Sequence, residues 1–260
     1  MNEKKQVTLE QYELTLEKFR LLPEDHQAVL AVLSYAVSEI NALQRMFLAQ
    51  ELKMTDVEAV NSAIKIQYYV VLRSWSSKLF EALEFLNSEI CGRKPQVKDE
   101  RLLEFAENLE KRLGALRSGV GYETARVVRN EAANHYSFKA ALRNLEHVRS
   151  QADCKLYTHV LGGNDFYPLG EEIMFQARLN RKWSSQKSED AKREAFLSWL
   201  GWNLKATKQL SEICAFFFNK LVFEVLPDIE WSEQTHTIPA ELVGHPSTRK
   251  TPVFSEILEQ

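Results

Sequence analysis

A chain of 260 residues, 45 % hydrophobic and 27 % charged, has the composition of an ordinary soluble globular protein and the length for one large domain or two small ones. Its 33 Lys and Arg against 36 Asp and Glu leave a formal charge of −3, which excludes a protein that coats nucleic acid through many phosphate contacts but leaves room for a local basic site. Nine glycines and seven prolines offer long helices few breakers, so the expected fold class is all-α.

Cys91, Cys154 and Cys214 are odd in number, far apart and free of any CxxC pair, so they frame neither disulfides nor a zinc site, and a reducing cytoplasm is the simplest setting. The opening MNEKKQVTLEQYE has no apolar signal core, and no window approaches the roughly 20 apolar residues of a membrane helix. No membrane partner is expected.

In chain order, residues 1–22 read as a polar tail leading into a short helix through Leu9, Tyr12, Leu16 and Phe19. Leu22-Pro23-Glu24-Asp25 is a helix start, with proline in the first turn and acids facing the positive end of the dipole. The helix over about 24–51 carries apolar residues on most of its circumference, which predicts a mostly buried element. Glu39 is its exception: at about 100° per residue it lies in line with Val32, Ala36, Leu43 and Met46. A carboxylate there needs a partner. Either it forms a structural salt bridge, or it supports the arginine of the stretch described below.

Thr55 and Asp56 look like a cap for a second long helix, about 56–90, whose stripe of Tyr68, Val71, Leu72, Trp75, Leu79, Ala82, Leu83 and Leu86 keeps helical spacing. Arg73, Ser77, Glu81 and Glu84 occupy its other side and read as a solvated face. Gly92 and Pro95 end it, and a third helix follows over about 99–117. Ser118-Gly119-Val120-Gly121 reads as a loop, without the Lys-Ser/Thr of a phosphate-binding loop. Tyr136 to Arg149 continues as a helix. Residues 152–169 are the least regular, with 155–161 extended and turn chemistry at Gly162-Gly163-Asn164-Asp165. Helices over 170–183 and from Ser188 to about 225 complete the body, the last rich in aromatics with few interleaved cations, which marks core or dimer contact rather than a base-stacking platform. Residues 1–226 are thus expected to form a single helical domain, and 227–260 an irregular tail that drapes over it.

The densest chemistry lies at Val128-Arg129-Asn130-Glu131-Ala132-Ala133-Asn134-His135-Tyr136. No carboxylate-bridged di-metal pattern is present, since Glu131 and His135 are four apart, and no nucleophile elbow marks a hydrolase. Metal-free RNA cleavage asks for less: a group that exchanges a proton with the ribose 2′-hydroxyl and the leaving 5′-oxygen, and a cation for the charge on phosphorus. Histidine, with a pKa near neutrality, supplies the first and the arginine fork the second. Asn130, Asn134 and Tyr136 are candidates to orient either. In one straight α-helix Arg129 and His135 would stand about 120° apart, so a single-face site requires a helix boundary, a long reach by the arginine, or a second protomer.

The same segment resembles the signature of the HEPN (higher eukaryotes and prokaryotes nucleotide-binding) superfamily: an arginine, a polar residue such as asparagine, then histidine after four to six intervening residues, here five. Its Arg-Asn…His-Tyr form is similar to that of bacterial HEPN-like proteins, from which it departs with Glu131 in place of a lysine and Asn134 in place of a phenylalanine. The segment Arg73 to Glu81 is similar, more weakly, to the second long helix of such proteins. The resemblance covers about residues 25–225. It implies an up-and-down helical bundle that forms a homodimer with both motifs lining one cleft. It implies a metal-independent endoribonuclease without cofactor that leaves a 2′,3′-cyclic phosphate, with His135 as general acid/base, Arg129 stabilising the transition state, and Asn130, Asn134, Tyr136 and Glu39 in support. Toxins and phage-defence effectors, some with an antitoxin partner, are common among such proteins. The competing expectation is a non-catalytic binding or scaffold module that keeps the fold.

Overall fold

The computed structural model describes residues 8–50, 52–133, 138–159, 164–184, 188–229, 231, 233–239, 243 and 251–254. The architecture is predominantly α-helical. Strand β1 (Thr8–Tyr12) and a single helical turn α1 (Leu16–Phe19) lead into three long helices that organise the core: α2 (Glu24–Leu48), α3 (Glu58–Glu89) and, much later, α9 (Glu189–Phe218). Between them come α4 (Glu100–Gly114), α5 (Gly119–Val127), α6 (Phe138–Leu145), the single turn α7 (Pro168–Glu171) and α8 (Ala177–Lys182). Three stretches wind more widely, with the i→i+5 bonds of a π-helix: Val128–Ala133 continuing α5, Glu172–Gln176 joining α7 to α8, and Asn219–Phe223 ending α9. Strand β2 (Glu233–Thr237) follows. Among the described residues no helix is long and apolar enough to cross a membrane.

Helix α3 is central because its apolar stripe keeps the 3.6-residue period from Ala63 to Leu86. Leu72, Trp75, Leu79, Leu83 and Leu86 are wholly buried, as the sequence predicts. α3 packs against α2, α5, the Val128–Ala133 stretch and α9. The α3–α9 seam is aromatic and partly polar. Trp75 donates its indole N–H to Thr207 Oγ1 at 3.0 Å, and Trp199 donates to Ser76 Oγ at 2.8 Å. Trp202 donates to the Leu116 carbonyl at 2.7 Å. Each ring therefore buries its apolar body without orphaning its donor.

Several expectations are corrected. α2 is less enclosed than its composition implies: Val32, Tyr35 and Met46 are exposed, because α3 and α9 cover only one side of it. Neither Thr55 nor Asp56 caps α3: its N-cap is Val57, which makes no side-chain cap hydrogen bond, and the Thr55 hydroxyl accepts the Val57 N–H at 3.1 Å just before the helix. On α3, Ser77 is buried and Arg73 is engaged in an ion pair, so that side is not a uniformly solvated face. Residues 8–12 are a strand rather than part of a helix, and the segment beyond 226 is not wholly irregular. β1 and β2 pair antiparallel, Thr8 opposite Thr237 and Tyr12 opposite Glu233, as an exposed two-stranded ribbon. Farther along, the Thr251 hydroxyl donates to the Ala49 carbonyl at 2.9 Å, laying the tail on the end of α2.

The glycines at 119 and 121 do not form a loop. Gly119 opens α5 with φ of +85°, a left-handed conformation open to glycine, and Gly121 lies within the helix against α9. A Cβ on Gly121 would sit 2.5 Å from the Ser198 carbonyl oxygen and 2.6 Å from Trp202 Cβ. Both are fixed by α9, so α5 itself would have to retreat. Gly121→Ala is expected to cost about 1–3 kcal/mol in urea unfolding, as overpacking does.

Candidate functional site

α5 hands over to the Val128–Ala133 stretch without a break, Val128 serving as a buried anchor against α3. Because this stretch is wound with i→i+5 bonds, the 100° arithmetic of an α-helix does not set the directions of its side chains. Such π turns are favoured at functional sites. Arg129 follows Val128 and emerges at the surface, its side chain 42 % exposed.

Two groups set the guanidinium's direction. Its Nη1–H donates to Asn130 Oδ1 at 3.0 Å, and its Nε lies 3.6 Å from Glu81 Oε1 on α3. The second contact is electrostatic attraction rather than a hydrogen bond; Nε is sealed from solvent with no bonded partner. At this exposure the pair contributes little stability, of order 0–1 kcal/mol. Its consequence is orientation: the inner edge of the guanidinium is turned to α3.

Asn134, His135 and Tyr136 lie outside the described residues. Arg129 and Asn130 are therefore the described part of the predicted constellation, and they do touch. Glu39 takes the first of the two alternatives open to it. Its carboxylate pairs with Lys78 at 3.2 Å, both ends partly exposed, on a half-open stripe of α2. The carboxylate that faces Arg129 is Glu81, not Glu39. Sequence reasoning missed Glu81 because it sits among Arg73, Ser77 and Glu84 in a pattern that reads as a solvated face, and no local spacing reports a partner on another helix.

A second polar site was also missed. Along one side of α3, Arg73 holds Glu171 with Nη1–H donated to both carboxylate oxygens, at 2.7 and 2.8 Å, and stacks 5.3 Å from the Phe175 ring. Lys65 holds Glu172 at 2.5 Å. Both glutamates are buried, and they border a cavity of about 170 Å³ with Met54, Ile66, Pro168 and Asp153. Burial pushes the Glu171 carboxyl above the ordinary carboxylate range, and Arg73 only partly offsets it. For Asp153, burial also pulls upward, but the Ser62 hydroxyl at 2.5 Å, the Lys155 backbone N–H and the nearby lysine charges together outweigh it and hold the carboxyl low.

Glu171 yields a signed prediction. Its pKa is higher folded than unfolded, so its contribution to stability is complete below the ordinary carboxylate value and is lost as pH rises through the raised value. In urea unfolding at a series of pH values, wild type should lose stability relative to Glu171→Gln across that window and run parallel to it above. A constant difference between the two would contradict the buried, net-penalised carboxylate.

Comparison of the chain with protein-family models, curated proteins and solved structures finds no match.

Proposed function

We propose that this protein is a metal-independent endoribonuclease of HEPN type, with Arg129 and His135 as its reacting pair. The observation that carries the reading is the setting of Arg129. Other surface arginines also pair with a carboxylate, Arg101 with Glu224, Arg126 with Glu123 and Arg149 with Glu189, but none of these three stands on a π turn. Arg129 instead stands at the surface on a π turn, steered from one side by Glu81 and Asn130. That arrangement suits a cation presented to a phosphate.

In the proposed reaction the ribose 2′-oxygen attacks phosphorus while His135 exchanges the protons. The 2′-hydroxyl loses one, the leaving 5′-oxygen gains one, and the bond from phosphorus to that oxygen breaks. The products are a 2′,3′-cyclic phosphate and a 5′-hydroxyl end. Arg129 neutralises the charge that builds on the non-bridging oxygens. Asn130 orients the guanidinium; Asn134 and Tyr136 are assigned supporting roles by sequence position.

The homodimer belongs to the same proposal and has its own support. α6 follows the Arg129–His135 stretch and turns its apolar edge outward: Phe138 is 81 % exposed, and Leu142 and Leu145 continue the i, i+4, i+7 stripe. The opposite edge buries Ala140 and the polar Asn144, whose amide has no hydrogen-bond partner. An apolar edge of this kind fits a second copy. A role as a toxin or phage-defence effector restrained by an antitoxin is the cellular setting this reading carries.

The second reading, a non-catalytic binding or scaffold module, is favoured by the charge pattern. Glu39, Lys78, Glu81 and Arg129 alternate in sign across α2, α3 and the π turn, so this surface is no basic track for RNA. Incubation of total RNA in EDTA with wild type and Arg129→Ala separates the two. The nuclease reading expects cleavage by wild type and at least about a hundredfold loss in the variant, the scale seen when a transition-state charge stabiliser is removed. Intact RNA with wild type, or equal cleavage by both, leaves the module reading standing.

A further inference from the structure

A cavity of about 210 Å³ lies where β1 meets the end of α9, and it shares no residue with the Arg129 site. Tyr12 and Leu14 line it from the start of the chain. Phe218, Val222 and Phe223 line it from the end of α9 and its π turn, and Trp231 completes it. Four of the six lining side chains are aromatic. Their rings stand as crossed walls rather than as a stack: Tyr12 and Phe223 meet at 65° with centres 5.5 Å apart, and Phe223 and Trp231 at 82° and 4.8 Å. Rings set steeply to one another around a hollow form an aromatic cage, the arrangement that holds organic cations.

The charge around this cage has the matching sign. The two segments that build it, residues 8–19 and 218–237, carry seven acids against two lysines. The β1–β2 register sets Tyr12 opposite Glu233, and the Tyr12 hydroxyl donates to Glu233 Oε1 at 3.1 Å and Glu10 Oε2 at 3.4 Å. Each carboxylate uses one oxygen in these contacts. The hydrogen bond to Glu233, and then the charge of that carboxylate, raise the Tyr12 phenol above its ordinary range. One ring already attracts a cation from the chain itself: Lys18 Nζ stands 5.3 Å from the centre of the Trp231 ring, although Lys18 does not line the cavity.

The lining also selects among cations. Its leucine, valine and phenylalanine side chains offer no acceptor, and the Tyr12 hydroxyl is turned to the two glutamates. A primary ammonium entering there leaves N–H donors unmet, whereas a quaternary nitrogen has none to lose. The volume lies below the roughly 300–1,000 Å³ of sites for drug-sized ligands, so it suits a headgroup of a few heavy atoms. We propose that this cavity binds a small quaternary ammonium cation with a hydroxyl-bearing arm, its methyl groups against Tyr12, Phe223 and Trp231 and its hydroxyl donated to the glutamates at the Tyr12 edge. Choline is the simplest molecule of that class. The site is independent of whether the protein cleaves RNA.

The test is a ligand-observed NMR titration of the full chain with choline chloride at fixed ionic strength. Two analogues run beside it: 3,3-dimethylbutanol, the neutral carbon counterpart, and glycine betaine, which joins the same headgroup to a carboxylate. Choline should bind saturably and both analogues at least about tenfold more weakly, one for want of charge and the other through repulsion by the glutamates. Trp231→Leu keeps an apolar wall without the π face and should weaken choline binding at least about tenfold. Lys18→Met removes the competing ammonium and should tighten it, and this variant serves if Trp231→Leu does not fold. No saturable choline binding by wild type, equal binding of the neutral analogue, or no gain in Lys18→Met would overturn the proposal. A trimethyl-lysine peptide bound more tightly than choline would overturn the small-molecule assignment in favour of a protein side chain.

Discussion

His135→Ala is expected to lower RNA cleavage by about 10²–10⁴-fold, the range a positioned general acid/base contributes, while leaving the thermal unfolding midpoint unchanged. The size follows from the chemistry required. At neutral pH a 2′-hydroxyl surrenders its proton only to a base with a pKa near the working pH, and the 5′-oxygen leaves only if it is protonated. Alanine offers neither function. An Asn or Gln would preserve hydrogen bonding without proton transfer, so His135→Asn should be as inactive as His135→Ala. Arg129→Lys is a finer probe of the same site: a lysine keeps the charge but loses the planar fork that Asn130 engages. It should retain only part of the activity, with substrate affinity less affected than turnover. Full activity in His135→Asn would remove the proton-transfer role.

The second large effect concerns stability. Trp75→Ala is expected to destabilise the fold by about 3–5 kcal/mol, the usual cost of emptying a buried aromatic site. Trp75 is completely buried, packs 5.3 Å from the Phe47 ring, and spans from α3 to Thr207 on α9 through its indole N–H. Truncation opens a void where α2, α3 and α9 meet and removes the donor to Thr207. For a protein this size each kcal/mol moves Tm by about 2–4 °C, so a fall on the order of 10 °C is expected in calorimetry. Trp75→Phe separates the contributions: it keeps most of the volume and forfeits the hydrogen bond, and should cost less than half as much. Equal losses in the two variants would mean that the hydrogen bond, not the packing, dominates.

These effects also mark what a linear reading reaches. The stripe through Leu72, Trp75, Leu79 and Leu83 was legible because helical burial has a period that one segment displays by itself. The openness of α2 was not, because apolar content does not say how much of a helix its neighbours cover. The β1–β2 ribbon escaped for a related reason: it pairs the two ends of the chain, and every residue in both strands is exposed, so neither shows an inward-facing alternation. The π turn at Val128–Ala133 has no propensity signature, yet it determines how Arg129 meets α3. At the site, the residue types were readable and the partners were not. Glu39 stood out in sequence and pairs with Lys78, whereas Glu81, one charge among several, is the one set beside Arg129. Ion pairs with distant segments leave no local trace, and Lys65 and Arg73 show it again: their partners, Glu172 and Glu171, lie about a hundred residues on.

The most direct measurement of the central claim is the chemistry of the cut ends. RNA digested by the wild-type protein in EDTA should carry 2′,3′-cyclic phosphate and 5′-hydroxyl termini by mass spectrometry, and His135→Ala should yield none. RNA left intact by the wild type, or fragments with 3′-hydroxyl and 5′-phosphate termini, would contradict it.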